Sequence, residues 1–409
     1  MDSTLMLNKV LNLDKTSWKL TKVGDLAKDI SKRVDNPGES EYDRFVGLGN
    51  FVSGDIKIKT WETTENLASS TKAFKAGDIL FARRNAYLRR ASLVDFDGCC
   101  SGDAFVLREN HDKIVPGFLA FLMNSNALWD YANSNAAGTM SKRVKWRDLA
   151  EYEFLIPPKD QQAQLTKLLW AMDDVIEKEI EVLNKTELLK EVKTKEFFLG
   201  NFLNSPKQET KLGQIPKNWK LEKLSNISWY QEGPGLRNWQ FTDEGIKVIN
   251  ITNLKDGYLD LNKTDRHVSW KEFNEKYKHF ECCKEDIVVA SSGNSYCKHA
   301  IIRSQDLPLM MNTSVIRFQP LEDVNYDFLN QFLKSSFFKN QIDILITGAA
   351  QPNFGPYHLE KVLVPFPENV EIQDHIGRNL KMIDNKVIEI KLNIKVSKSL
   401  QKSLINKIF

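Results

Sequence analysis

Four arginines fall within eight residues at Arg83-Arg84-Asn85-Ala86-Tyr87-Leu88-Arg89-Arg90, and Lys142-Arg143-Val144-Lys145-Trp146-Arg147 adds four basic residues in six. Guanidinium groups on a loop hold phosphate or fork onto the edge of guanine, so Arg83, Arg84, Asn85, Arg89, Arg90, Lys142, Arg143 and Lys145 are candidate nucleic-acid contacts. An aromatic residue sits within each run. The competing reading is a solvated basic surface, which two runs in one domain make less favourable than one run does. Two later segments carry different chemistry. Ser291-Ser292-Gly293-Asn294-Ser295-Tyr296-Cys297-Lys298-His299 is rich in hydrogen-bonding groups, and Trp229 to Trp239 places Arg237 and Asn238 among glycines and Pro234. We take Arg237, Asn238, Asn294, Ser295, Tyr296, Lys298 and His299 as candidate base or phosphate contacts, although such loops are also common on any surface.

Catalytic patterns are missing. No glycine-rich phosphate loop ends in Lys-Ser/Thr, no His-Glu-x-x-His occurs, and the 6 histidines are scattered. Gln351-Pro352-Asn353-Phe354 resembles the Asn/Asp-Pro-Pro-Tyr/Phe loop of amino-methyltransferases only in part. It lacks the leading Asn or Asp and the second proline, and no glycine-rich cofactor motif precedes it. Gln351 and Asn353 are kept as candidate DNA contacts. No nuclease-type Asp…Glu-x-Lys set stands out after a strand.

These loops need elements to hold them, and the chain supplies the elements twice. Gly138-Thr139-Met140-Ser141-Lys142 is followed by Phe154-Leu155-Ile156-Pro157-Pro158 and a long amphipathic stretch. Gly348-Ala349-Ala350-Gln351-Pro352-Asn353 is followed by Val362-Leu363-Val364-Pro365-Phe366-Pro367 and another. Trp18 to Leu26 parallels Trp219 to Ile227, and Lys75 to Ala82 parallels Lys284 to Ala290. The period is too long for a solenoid, so it marks two copies of a domain plus a helix. We place the first domain at 1–158, a central helix at 159–203, a linker at 204–216, the second domain at 217–367 and a final helix at 368–409. Asp78 to Ala82 and Ala104 to Leu107 suit strands. Pro116 to Leu128 reads as one helix, matched by Tyr326 to Leu333. Asn204 to Pro216 is polar, rich in breakers and without periodicity.

Leu165, Leu168, Met172, Ile176, Ile180 and Leu183 recur at mostly three- or four-residue steps. Ile372, Ile376, Leu380, Ile383, Val387, Ile390 and Ile394 do so with nearly heptad spacing. Two such helices at equivalent places in a repeat are most simply explained by packing on each other.

Composition sets the outer limits. The 409 residues suffice for two or more cores, and 42% hydrophobic with 27% charged residues is ordinary for a globular protein. A net charge of +3 permits a nucleic-acid partner without arguing for one. No stretch approaches the ~18–20 apolar residues needed to span a bilayer. Met1-Asp2-Ser3-Thr4 does not begin a signal peptide, and the 5 cysteines lack a Cys-x-x-Cys, which suits reduced cytosolic thiols.

The assembled motifs resemble the specificity (S) subunit of type I restriction-modification systems. The residues carrying the resemblance are Ile215-Pro216-Lys217-Asn218-Trp219, Thr347-Gly348-Ala349-Ala350-Gln351-Pro352-Asn353 with its counterpart at Gly138, and two helix entries. Those entries are Ile156-Pro157-Pro158-Lys159-Asp160-Gln161-Gln162 and Pro365-Phe366-Pro367-Glu368 leading to Ile372-Gln373. Trp18 departs by lacking the preceding Ile-Pro, and Gly138-Thr139 is followed by Met-Ser-Lys. The resemblance implies an α+β fold with two similar mixed α/β target-recognition domains. Two long helices separate them as an antiparallel coiled coil, with internal pseudo-twofold symmetry. Each domain would read one half of a bipartite, asymmetric double-stranded DNA site, and the coil would set the gap. Expected partners are two methyltransferase (M) subunits and restriction (R) subunits, which would hold S-adenosylmethionine, ATP and magnesium. The chain would carry no cofactor and no catalysis of its own, and would be cytoplasmic. The alternatives are a coiled-coil adaptor that binds protein, or a self-contained nuclease or methyltransferase active without partners.

Overall fold

The computed structural model describes residues 13–347 and 352–409. The Met1–Thr4 start and Gln351 lie outside them. The chain divides into two compact units. One is the chain up to Val182 together with Ile390–Phe409, and the other is Leu183–Glu389. Each unit is therefore a head plus part of both long helices.

The first head is organised around a four-stranded antiparallel sheet of β1 (Ala27–Asp29), β2 (Ile79–Ala82), β3 (Ala91–Leu93) and β4 (Ala104–Glu109), in the order β1-β4-β2-β3. Every residue of β2 is buried. Side chains alternate across a strand, and here both faces meet a core. Ile79 and Phe81 enter one cluster with Phe118 and Trp129, while Leu80 and Ala82 enter a second with Val46 and Phe74. The unbroken apolar run is explained by a strand lying between two cores.

The long helix α1 spans Lys159–Phe198. The second head repeats the plan with β5 (Ser228–Glu232), β6 (Ile287–Ala290), β7 (His299–Ile301) and β8 (Val315–Pro320), ordered β5-β8-β6-β7. β6 splits its side chains in the same way, Ile287 and Val289 to one core and Val288 and Ala290 to the other. The chain ends in helix α2, Val370–Ile408.

In the first unit the start of α1 (Leu165, Leu169) packs with the end of α2 (Leu404, Ile405, Ile408). In the second unit the end of α1 (Phe197, Phe198) packs with the start of α2 (Ile376, Leu380). The helices therefore run antiparallel. Each helix is anchored to its head by a buried glutamine. Gln162 accepts from the Val115 N–H at 2.9 Å and donates to the Pro157 carbonyl, and Gln373 accepts from the Asn325 N–H at 2.8 Å and donates to the Pro367 carbonyl. These bonds satisfy backbone groups left over where a strand ends and a helix begins.

Four sequence expectations change. Leu168 is exposed and Leu169 is the buried residue, because adjacent residues on a helix point about 100° apart and the seam follows the Leu169 side. Pro116 to Leu128 is not one helix. Gly117 has φ +78°, a first short helix covers Leu119–Leu122, and Ser125 caps a second helix at Asn126–Ser134 by accepting from the Leu128 N–H. The 204–216 segment is not structureless, since Lys207–Thr210 pairs with Gly213–Pro216 around a turn in which Gly213 adopts φ +113°. The start of the 229–239 loop is the paired strand β5. Among the described residues, no helix is long and apolar enough to cross a membrane.

Candidate nucleic-acid interface

In the first head, β2 ends at Ala82 and feeds the arginine run. Asn85 (φ 55°) and Arg89 (φ 50°) take left-handed conformations on either side of a tight turn at Ala86–Leu88. The second basic run lies beside it. The Val144 N–H donates to the Arg83 carbonyl and the Asn85 N–H to the Lys142 carbonyl, both at 2.9 Å. Two segments far apart in sequence thus form one junction.

Asp103 sits at its centre. Arg143 forks onto it through Nε at 2.9 Å and Nη2 at 3.2 Å, and Arg83 and Arg84 lie 3.7 and 3.6 Å away. The Arg143 hydrogen bonds hold the Asp103 carboxyl below the usual carboxylate range, with the Arg83 and Arg84 charges adding to them. Three guanidinium groups around one carboxylate leave a local excess of positive charge. Lys142 and Lys145 are exposed beside them, as suits phosphate contacts.

Two of the candidate arginines have structural partners. Arg89 bonds Asn126 at 2.8 Å and Asp130 at 2.6 Å, and Arg90 donates to the Leu48 carbonyl at 2.8 Å. Burial lowers the pKa of Arg90. Both brace the loop.

The second head builds the same junction from other residues. Ser292 bridges Asn353, the Phe354 N–H donates to the Ser291 carbonyl at 2.9 Å, and the Gly293 N–H donates to the Pro352 carbonyl at 3.0 Å. Asn294, Lys298 and Asn353 are exposed, and Ser295 is half-buried. Tyr296 is tied back, its hydroxyl donating to Asp343 at 2.6 Å with Lys339 beside it. Arg237 and Asn238 are exposed at a turn with Trp239, while Gln240 anchors that turn to Tyr277 and Glu272.

His299 is a correction. It lies within β7 opposite Val289 and is 4% exposed, so it cannot present its ring to a ligand. Burial, reinforced by the Lys334 charge, pushes its pKa down to about 4. The sequence placed it at a loop's end, but it is the first residue of the strand.

Asp103 at the first junction, and in the second head Glu232, which accepts from the Thr313 hydroxyl at 3.3 Å and lies against Gly355, were not singled out from the sequence. No local motif marks them, because each becomes relevant only when distant segments meet. Among the described residues, no group of His, Cys, Asp or Glu is arranged to hold a metal ion.

The type I restriction-modification DNA specificity domain matches this chain twice, at residues 15–187 and 216–397. The chain belongs to that family. The type I restriction enzyme MjaVIII specificity subunit of Methanocaldococcus jannaschii is 25% identical over 396 residues, covering 91% of this chain and 87% of the relative. Among solved structures, the S subunit of a type I restriction-modification system from M. genitalium has a TM-score of 0.59 at 16% identity, with 98% of each chain covered. A chain solved in work on complex assembly and conformational transition of the type I R-M system has a TM-score of 0.58 at 18% identity, covering 96% of this chain and 99% of the other. At these identities the solved structures speak for the fold.

Proposed function

We propose that this chain is the sequence-reading subunit of a type I restriction-modification complex, each head reading one half of a bipartite, asymmetric DNA site. The observation that carries the reading is the duplicated junction. One framework is built twice, with arginines around Asp103 in one head and serine, asparagine and a carboxylate in the other. Identical scaffolds with unlike contact groups suit unlike half-sites.

In this reading the chain directs chemistry that partners perform. Methyltransferase subunits supply S-adenosylmethionine-dependent methylation. Restriction subunits supply ATP- and magnesium-dependent cleavage. The complex acts in the cytoplasm, where the DNA is. The exposed Lys142 and Lys145 hold phosphates, and the exposed Arg237, Asn238, Asn294 and Asn353 stand with the Asp103 arginines as base or phosphate contacts.

The test is genome-wide sequencing of methylated positions in cells with the partner subunits, with and without this chain, and with residues 14–158 exchanged for those of another family member. One bipartite motif is expected to appear with the chain, and the exchange is expected to alter one half only. Alteration of both halves by the exchange would sink the modular reading. Methylation or cleavage by the purified chain alone would overturn its non-catalytic role.

A further inference from the structure

Glu232, the last residue of β5, is a carboxylate that lies against the loop carrying Asn353, which is in turn bridged to the 291–299 segment. Its Oε1 accepts from the Thr313 hydroxyl at 3.3 Å. A Cβ on Gly355 would lie 3.5 Å from its Oε2, which places the carboxylate against the loop that carries Asn353. That loop is bridged to Ser292. Thr313 and Asn353 are exposed, so the cluster opens to solvent.

The influences on Glu232 among the described residues are burial, which pushes its carboxyl up, and the Thr313 hydroxyl, which draws it back. Among the described residues no ion pair is made to Glu232, whereas Asp103 in the first head has three guanidinium groups within 4 Å. A half-buried carboxylate without an ion-pair partner repels phosphate and gains from a neutral N–H donor. DNA offers such donors on base edges. In the major groove adenine sets its N7 acceptor beside its N6 amino group, so a carboxylate there faces a lone pair as well as a donor. Cytosine presents its N4 amino group with no acceptor on its own edge, and a carboxylate is the natural partner.

We propose that Glu232 is a specificity-determining residue of the second head and that it reads the N4 amino group of a cytosine, with Thr313 orienting the carboxylate. This rests on the reading of the chain as a DNA-specificity subunit. The test uses the assembled complex of this chain with its methyltransferase subunits, acting on a randomised oligonucleotide library, with methylated products sequenced. For E232Q, the preference for cytosine at one position of the second head's half-site is expected to fall roughly tenfold or more, adenine gaining most, because an amide matches adenine N6 and N7. The first half-site is expected to stay unchanged, which also shows that the variant folds and assembles. Unaltered base preferences in E232Q, or a wild-type half-site with no cytosine requirement on either strand, overturns the assignment. If E232Q abolishes methylation, E232D decides. Cytosine remaining the preferred base there supports the assignment, and any other preferred base overturns it. A wild-type complex that methylates no bipartite site at all overturns the underlying reading instead.

Discussion

The two heads share a fold and differ in how each balances its charges. In the first, Asp103 is surrounded by Arg83, Arg84 and Arg143; in the second, Glu232 leans on a hydroxyl. Behind these surfaces the contrast reverses. The aspartate at the start of the central strand is Asp78 in one head and Asp286 in the other. Each accepts a backbone N–H from the turn before it, from Lys75 and Cys283 respectively. Arg108 pairs with Asp78 from a largely exposed position, whereas Arg317 is buried on Asp286 with Gln231 and the His279 carbonyl also bound. Positions that hold the backbone keep the same residue. Positions that hold a side-chain network, or face outward, take different ones. Framework and reading surface can therefore change independently.

That contrast can be broken most forcefully at the strand-start aspartates. D286A leaves Arg317 buried without its carboxylate and is expected to cost about 3–5 kcal/mol. D78A leaves Arg108 able to turn to water and is expected to cost about 1–2 kcal/mol. Chemical denaturation of the two variants checks this, and equal losses would show that the two anchors are equivalent after all.

A smaller effect is expected where each long helix buries an aspartate. Asp173 accepts from Gln401 at 3.2 Å with Lys57 at 3.6 Å, and burial pushes its carboxyl up. Burial also acts upward on Asp384, but Lys334 and Lys190, the latter at 2.6 Å, hold it below the usual range. The signs are opposite. Asp384 has a folded pKa below its unfolded value, so its contribution is present above the unfolded pKa and is lost as pH falls through the folded one. Asp173 binds its proton more tightly when folded, so its ionisation penalty is present at neutral pH and fades on acidification. D384N is expected to lose about 1.5–3 kcal/mol at neutral pH and to flatten the acid limb. D173N is expected to be neutral or slightly stabilising at pH 7. Thermal melts from pH 7 to 3 measure both, and a neutral-pH loss in D173N as large as in D384N would remove the distinction.

The smallest expected change concerns phosphate. K142A should weaken DNA binding by the assembled complex nearly uniformly across sequences and reduce the slope of log K against log salt by about 1. A changed half-site preference instead would make Lys142 a base reader and move the first head's specificity outward from the Asp103 cluster.

Much of this was legible in the residues. The duplication was visible because framework positions recur: Trp18 and Trp219 both enter short strands, and Gln162 and Gln373 both tie a head to a helix. The long helices were visible because their apolar period persists over many turns. Leu168 fits the apolar period yet is exposed, because a seam shared with a head and a second helix is wider than a strict heptad, and the adjacent Leu169 satisfies the pattern equally well. Residues 116–128 carry a helical apolar period, but Gly117 at φ +78° and the Ser125 cap break it into two separate helices. Of the candidate contacts, the sequence identified the arginine run as a group but could not separate Arg83 and Arg84 at the Asp103 cluster from Arg89 and Arg90, which brace the loop. Nor could it tell that His299 turns into a core.

The sequence by itself determined the repeat and the two long amphipathic helices, because these rest on apolar periodicity and on local turn and cap chemistry, which neighbouring residues encode; its motifs carried the resemblance to the family, and that resemblance implied the antiparallel pairing. Only the tertiary structure decided which charged side chains face outward and which of them meet. The junctions at Asp103 and Glu232 join segments tens of residues apart. Whether an arginine is free or paired there depends on a carboxylate delivered by a different strand, and no local pattern contains that information.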